Sequence, residues 1–427
     1  MLTATILIFA VAMFSVLTFT PAIRRSDGWR ATVTPLASIM GSGFLVCAPL
    51  LASVVGNLSP LVMAGLLLLA WLIGGAIRFN ILHAEQDSDT RPRQHDEGVS
   101  EHRLHRTHTH AATLACEWIE KSSHYVLAIA YLISVTYYIQ LLAQFCLDKV
   151  GYGEGLPPTI FATVVLGTIA AIGFFFGLKI IEKVERYAIN LNLAMIAALI
   201  AGLAVHNVGL LQSGQWQLPN LAGESDHWHA FRVYLGLLIV VQGFETSRFL
   251  GAEHSAPQRV ATMNYAQLIS TAVYLVFLSL MLVVMTPDQA SADAGVTAIV
   301  TLAGSISLIL PLMITVAAVG SQFSAAVADE AGCGGLLQSL GGKWLKGGYA
   351  YLVIGTTTIA FCWMVNVMQV IAIASRAFAA FYAIQCVVAA TIAWSGAAQI
   401  RNRPRAVFYA VLAAICLMIT ILGQSSE

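Results

Sequence analysis

Charge is scarce in this 427-residue chain. Only 10% of its residues are Asp, Glu, Lys or Arg, and the 22 cations balance the 22 anions. A water-soluble domain carries about a quarter charged residues, so a soluble globular fold is excluded. With no net charge there is no basic field for a phosphate backbone, and no nucleic-acid partner is expected. Cysteine is sparse too: seven residues, with no C-x-x-C pair. That removes the pattern of a disulfide framework or a thiolate zinc site, and the cysteines read as small apolar packing residues. A P-loop, a G-x-S-x-G elbow and an H-E-x-x-H helix are all missing, so the motifs point to no enzyme and no resident cofactor.

Apolar sequence is abundant, at 58% of the chain. Twelve runs approach the ~20 residues needed to cross a bilayer core: 2–23, 31–55, 60–83, 122–147, 158–178, 187–211, 231–252, 264–286, 297–328, 349–372, 377–398 and 405–423. A secretory signal has basic residues before its apolar run, whereas Arg24, Arg25 and Arg30 follow the first run here. It therefore reads as a membrane helix with its N-terminus outside. Threading the twelve spans alternately across a bilayer puts all the Lys and Arg on one side except Lys149, Arg232 and Arg376. Positive charge marks the cytoplasmic side, so this asymmetry supports the span count and the orientation. The expected location is the plasma membrane, or the inner membrane of a bacterium.

Two spans are interrupted. In Ser38-Ile-Met-Gly-Ser-Gly-Phe-Leu-Val-Cys-Ala-Pro49, two glycines, a serine and a proline interrupt an apolar run. Glycine is entropically costly to hold in a helix, and proline cannot donate to the preceding turn. Lipid offers nothing to the backbone groups such a break frees, so they are available to a ligand. Val241-Gln-Gly-Phe-Glu-Thr-Ser-Arg248 is the second case, with Gly243 to unwind the chain and Glu245 near mid-depth. A membrane-buried acid normally faces protein or water. Glu245 reads either as a gating or coupling carboxylate or as a permanent partner for the amides of its own break. Without the first and last spans, the chain reads as two five-helix repeats of opposite direction, 31–212 and 230–398, each starting with an interrupted helix. Residues 1–30 and 399–427 are accessory, and 84–121 is a polar cytoplasmic insert.

These motifs resemble the amino acid–polyamine–organocation (APC) superfamily, whose members have the LeuT-type fold. Its first helix resembles I-x-G-S-G-I-F-x-x-P, here Ile39-Met-Gly-Ser-Gly-Phe-Leu-Val-Cys-Ala-Pro49. Its sixth resembles G-F-E followed by an acid, Pro and Arg, here Gly243-Phe244-Glu245, Glu253, Pro257 and Arg259. The A-E-L that often ends its second helix is matched by Ala84-Glu85-Gln86. The resemblance implies an all-α membrane carrier with a 5+5 inverted-repeat bundle. Amides around Gly41, Ser42, Gly43 and Phe44 would hold a substrate carboxylate. Carbonyls near Gln242 and Gly243 would meet its amine, with Phe244 closing over it. Helix-end dipoles favour the same polarity. Three departures stand out: the extra first helix, which sodium–solute symporters of this fold share, the long insert, and Asn192 where some members carry a lysine that replaces sodium.

Given Asn192, sodium is the expected coupling ion and the proton the variant. Ser321 and Ser324, after Gly320, share a helix face. With main-chain carbonyls of Ser38 to Gly41 they would give sodium oxygen ligands; otherwise they pack or bond back to their own helix. Asp329 and Glu330 read as an exposed cytoplasmic helix end or an ion exit. In the third core helix Tyr137 or Tyr138 is expected to reach the substrate, with Tyr131, Ser134, Thr136, Gln140 and Gln144 as further polar positions. Trp363, Asn366 and Gln369 read as packing at helical spacing. The segment 84–110 contains His105-x-x-His108-x-His110 among arginines. It reads as a mobile cytoplasmic loop touching lipid headgroups or a partner rather than as a metal site, since the arginines repel a cation. The expected function is secondary transport of a small amino acid or amine. The alternatives are a sodium–solute symporter for a carboxylate, sugar or osmolyte, and a transporter-like sensor subunit.

Overall fold

Backbone groups in lipid are satisfied within helices, and the apolar runs fold accordingly. A computed structural model describes residues 2–41, 43–83, 103–153, 155–177, 179–252, 254–290, 298–341, 344–345, 347–395 and 402–424, with the backbone alone described along 103–118 and 179–186. No strand occurs among the described residues. The helices are α1 (Leu2–Phe19), α2 (Asp27–Gly41), α3 (Cys47–Val55), α4 (Ser59–His83), α5 (Arg103–Leu147), α6 (Leu156–Phe176) and α7 (Lys179–Gln212). After these come α8 (His227–Leu235), α9 (Ala256–Val284), α10 (Ala298–Ile306), α11 (Leu310–Leu340), α12 (Tyr349–Met364), α13 (Val367–Ser395) and α14 (Arg403–Leu422). Between α8 and α9 the chain forms two 3-10 segments, Leu238–Val241 and Phe244–Ala252.

Eight helical stretches among the described residues are long and apolar enough to span a membrane; Ile6–Phe19 and Tyr349–Met364 are apolar but shorter. The centre of the bundle is α5, which packs on both α11 and α13. Helix α2 lies against α9 and α11, while α1 covers α7 and α14 covers α13. Tyr131, Tyr137, Tyr138, Tyr274, Tyr382 and Phe244 are fully buried, so the largest side chains fill the interior around the two interrupted elements. This is the all-α arrangement of membrane-spanning helices expected from the sequence.

Several expected boundaries move. The span expected at 297–328 is two helices, because α10 ends at Ile306 and α11 begins at Leu310 with Pro311 in its first turn. Proline is tolerated at a helix start, where its missing N–H would be unpaired anyway. Apolar residues continue through the junction, so hydropathy does not mark it. The boundary expected between 372 and 377 lies at Val365, which is extended. Gln369 N donates to Asn366 Oδ1 at 2.8 Å, and Asn366 N donates to Gln369 Oε1 at 3.3 Å. This reciprocal pair is a capping box that starts α13. Asn366 and Gln369 are thus cap residues rather than packing at helical spacing, and the largely exposed Trp363 belongs to the previous helix. The insert differs as well, since α5 is already helical from Arg103. A loop over 84–110 is corrected for 103–110; residues 84–102 and the side chains of His105, His108 and His110 lie outside what is described.

Candidate functional site

The first interrupted element leaves helix at Gly41 and resumes at Cys47. Gly43 O accepts the amides of Val46 at 3.1 Å and Cys47 at 3.0 Å, which opens the second half-helix. Pro49 falls in the first turn of α3, where it does no harm. Ser42 lies outside the described residues. In the second element, helix stops at Leu235 and the chain is extended at Gln242. Gly243 has φ +115°, a conformation that residues with a Cβ rarely adopt. Gly243 O accepts Thr246 N at 3.3 Å and Thr246 Oγ1 at 2.7 Å, so a glycine carbonyl again starts the second half.

The two breaks touch. A Cβ on Gly243 would lie 2.5 Å from Ser38 Oγ and 2.6 Å from Ile39 N; a Cβ on Gly43 would lie 3.1 Å from Val240 Cγ2. Val54 clusters with Ala230 and Val233. The pairings 38–243, 43–240 and 54–230/233 run in opposite sense, so the interrupted elements are antiparallel. Tyr274 of α9 spans both: its hydroxyl lies 3.0 Å from Ile39 O and 2.6 Å from Val240 O. Ser375 of α13 steadies the approach to the second break, accepting from Ile239 N at 2.8 Å and donating to Gly236 O at 2.6 Å.

Phe44 is buried against Tyr274 (5.3 Å between centroids) and Phe277 (4.4 Å). Phe244 stacks on Tyr382 at 5.1 Å and 18°. Tyr138 accepts a hydrogen bond from Gln242 Nε2 at 2.5 Å, which ties α5 to the second break. Tyr137, 5.3 Å from Tyr138 between centroids, is buried, and its hydroxyl has no hydrogen-bond partner among the described residues. Of this pair it is therefore Tyr138 that the structure joins to a break.

Glu245 is fully buried. Its Oε2 accepts from Gly243 N at 3.0 Å and from Tyr382 OH at 2.7 Å, while Oε1 is buried with no hydrogen-bond partner among the described residues. The carboxylate thus stabilises an amide of its own break and keeps an acceptor in reserve.

Ser321 faces the first break, its Oγ 3.3 Å from Met40 O, whereas Ser324 Oγ bonds back to Gly320 O at 2.8 Å. The helices meet closely here, since a Cβ on Gly41 would come within 2.7 Å of Ala325 Cβ. Ser38 Oγ is buried and has no hydrogen-bond partner among the described residues. Gly320 lies near Ala188 of α7, whose carbonyl would be 3.8 Å from a Cβ there. Asn192, one turn further along α7, is buried, and its Oδ1 has no hydrogen-bond partner among the described residues.

Sequence reasoning placed Asp329 and Glu330 wrongly as an exposed helix end: they are 0% and 2% exposed. Ser134 of α5 donates to Asp329 Oδ2, and Oδ1 is buried and unbonded. The helix continues to Leu340, so these acids lie inside the packed bundle. The remaining third-helix polar residues are partly structural: Gln140 Nε2 reaches Cys362 O at 3.1 Å and Val365 O at 3.0 Å, at the end of α12.

Three partners escaped the sequence reading: Tyr274, Tyr382 and Ser375. Each shares its helix with other polar residues, and nothing local says which of them serves a break. A second polar cluster lies along the second interrupted element. Gln385 of α13 accepts from Arg248 and, at 2.9 Å, from Asn80 Nδ2, and it donates to Ser123 Oγ at 3.0 Å; Arg259 donates to Arg248 O at 2.7 Å.

An uncharacterized protein of Aquifex aeolicus (strain VF5) is 34% identical over 409 residues, covering 95% of this chain and 93% of that protein. Among solved structures, a Na+-coupled sialic acid symporter in a substrate-bound outward-open state aligns over 100% of this chain and 98% of its own, with 10% identity and a TM-score of 0.46. A family model described as an APC superfamily transporter matches residues 21–423. The chain is an integral membrane protein and belongs to the APC superfamily of transporters.

Proposed function

We propose that this transporter carries a small amino acid or related amine by alternating access, with sodium as the coupling ion and the N-terminus outside. One observation carries the reading: two antiparallel interrupted helices meet inside the bundle and are held together through main-chain groups. The start of α3 carries the positive end of a helix dipole and suits a carboxylate; the carbonyls ending the first half of the second element suit an amine. A zwitterion satisfies both. Sodium would take oxygens from Ser321, Ser324 and main-chain carbonyls of Ser38 to Gly41; the 3.3 Å approach of Ser321 to Met40 O supports that placement. Rocking of the two interrupted helices against α5 and α11 would then alternate access, with bound ligands shifting an existing equilibrium.

Reconstituted vesicles with an imposed inward sodium gradient should concentrate at least one member of an amino acid and amine panel. No sodium-dependent uptake across the panel would overturn the coupling, and no saturable uptake of any member would overturn the substrate class. The extra helix α1, packed along α7, favours a second reading as a sodium–solute symporter for a carboxylate, sugar or osmolyte. Competition by such solutes, with none by amino acids, would select it.

A further inference from the structure

Past its break the second interrupted element is bonded into a group of helices. Arg259 of α9 donates to Arg248 O at 2.7 Å. Gln267 of α9 donates to Ala70 O of α4 at 2.9 Å and accepts from Arg78 of α4. Tyr274 of α9 bonds to Ile39 O and Val240 O. The two interrupted elements, α4 and α9 can therefore move together and keep these contacts. Just past Gly243, Gln385 of α13 joins this group to α5. Its Oε1 accepts from Arg248 and from Asn80 Nδ2 of α4, the latter at 2.9 Å, while its Nε2 donates to Ser123 Oγ of α5 at 3.0 Å. Alongside, His124 of α5 lies edge-on to Phe249, 6.4 Å between centroids. Gln385, Asn80, Ser123 and Arg248 are all buried.

We propose that Gln385 is a positioning residue for transport: a releasable latch that holds this end of the bundle shut and lets go when the interrupted helices rock away from α5. The inference rests on the alternating-access reading; with the N-terminus outside, the latch faces the cytoplasm. Its neutrality is what makes it releasable. A carboxylate at this place would pair with Arg248, and parting a buried ion pair leaves two uncompensated charges. A neutral oxygen satisfies the guanidinium and leaves one. Asn80 also donates to the main-chain carbonyl of Gln385 at 2.9 Å, a bond that any side chain at this position leaves in place. Substitution of Gln385 thus acts chiefly on Arg248 and Ser123.

Hydrogen exchange on the purified full chain, measured by mass spectrometry without substrate, tests the latch at both ends of the bundle. Amides of 244–252 report on the latch end. At the other end the reporter is Glu224, whose amide donates to Val54 O at 2.9 Å and ties the chain before α8 to the end of α3. Q385L should raise exchange at 244–252 about tenfold, the weight of one hydrogen bond to a charged group. Exchange at Glu224 should fall in the same variant, because alternating access closes one end as the other opens. Q385E should do the reverse at both ends, since the carboxylate draws Arg248 and the Ser123 hydroxyl can turn to donate. S123A should loosen 244–252 by less than Q385L, which keeps the test decisive if Q385L does not fold. Faster exchange at both ends in every variant would mean a purely structural role and overturn the proposal. Unchanged exchange at 244–252 in Q385L or S123A, or a latch end loosened by Q385E, would overturn it as well. No uptake enters the measurement, so a wrong substrate or coupling ion fails separately.

Discussion

The two interrupted helices solve one problem in different ways. In each, a glycine carbonyl takes the first hydrogen bonds of the resumed helix, Gly43 in the first and Gly243 in the second. Beyond that they diverge. The first break carries no charged residue between Ser38 and Pro49, and its carbonyls are met from outside, Ile39 by Tyr274 and Met40 by Ser321. The second carries its own carboxyl group, and Glu245 accepts from Gly243 N two residues away. A break stabilised by neighbours responds when those neighbours move, whereas one stabilised by its own side chain responds when that side chain changes charge. The contrast separates a break held from outside by Tyr274 and Ser321 from one held by its own carboxyl group.

The strongest challenge to this contrast is G243A. The new Cβ meets Ser38 and Ile39 at van der Waals-forbidden distance in a backbone conformation foreign to alanine. Strain and overpacking together should remove about 3 kcal/mol or more, seen as a large fall in melting temperature and loss of uptake. Next comes E245A, which strips Gly243 N and Tyr382 OH of their acceptor. Leaving buried groups unsatisfied costs about 1–3 kcal/mol; E245Q keeps one acceptor and should retain more stability. Uptake measured alongside melting would separate the two, and an E245Q variant with wild-type uptake would argue against a role for the charge.

Tyr274→Phe should act on both elements at once, at a loss of about 1 kcal/mol for the hydroxyl. Its melting temperature should fall without any change in sodium dependence. Ser321→Ala should lower stability by no more than about 1 kcal/mol yet weaken the sodium dependence of uptake. Ser324→Ala, whose hydroxyl serves its own helix, should have the smaller effect on stability. If the two serine variants are indistinguishable in sodium dependence, the asymmetry seen at the first break has no functional weight.

Much of this was legible in the residue order. Glycine and proline inside an apolar run announce a break because lipid cannot compensate a lost helical bond. The spacing of such runs then fixed which elements face each other. Boundaries without a chemical marker were not legible: Ser307 to Ile309 is as apolar as its flanks, and α10 and α11 merge in a hydropathy reading. Asn366 and Gln369 show the opposite difficulty, since a capping box and a helical stripe share the same three-residue spacing.

Composition, run length and the two glycine motifs determined by themselves that this is a helical membrane transporter with paired breaks, because those features are local consequences of a backbone placed in lipid. Only the tertiary structure decided what meets the breaks. Tyr274, Ser375 and Ser321 reach them from helices far away in the chain, and Asp329, written off at a helix end, is drawn against Ser134 of α5 in the interior. Helical periodicity tells which side of a rod is polar; the choice of neighbour comes from how the rods pack.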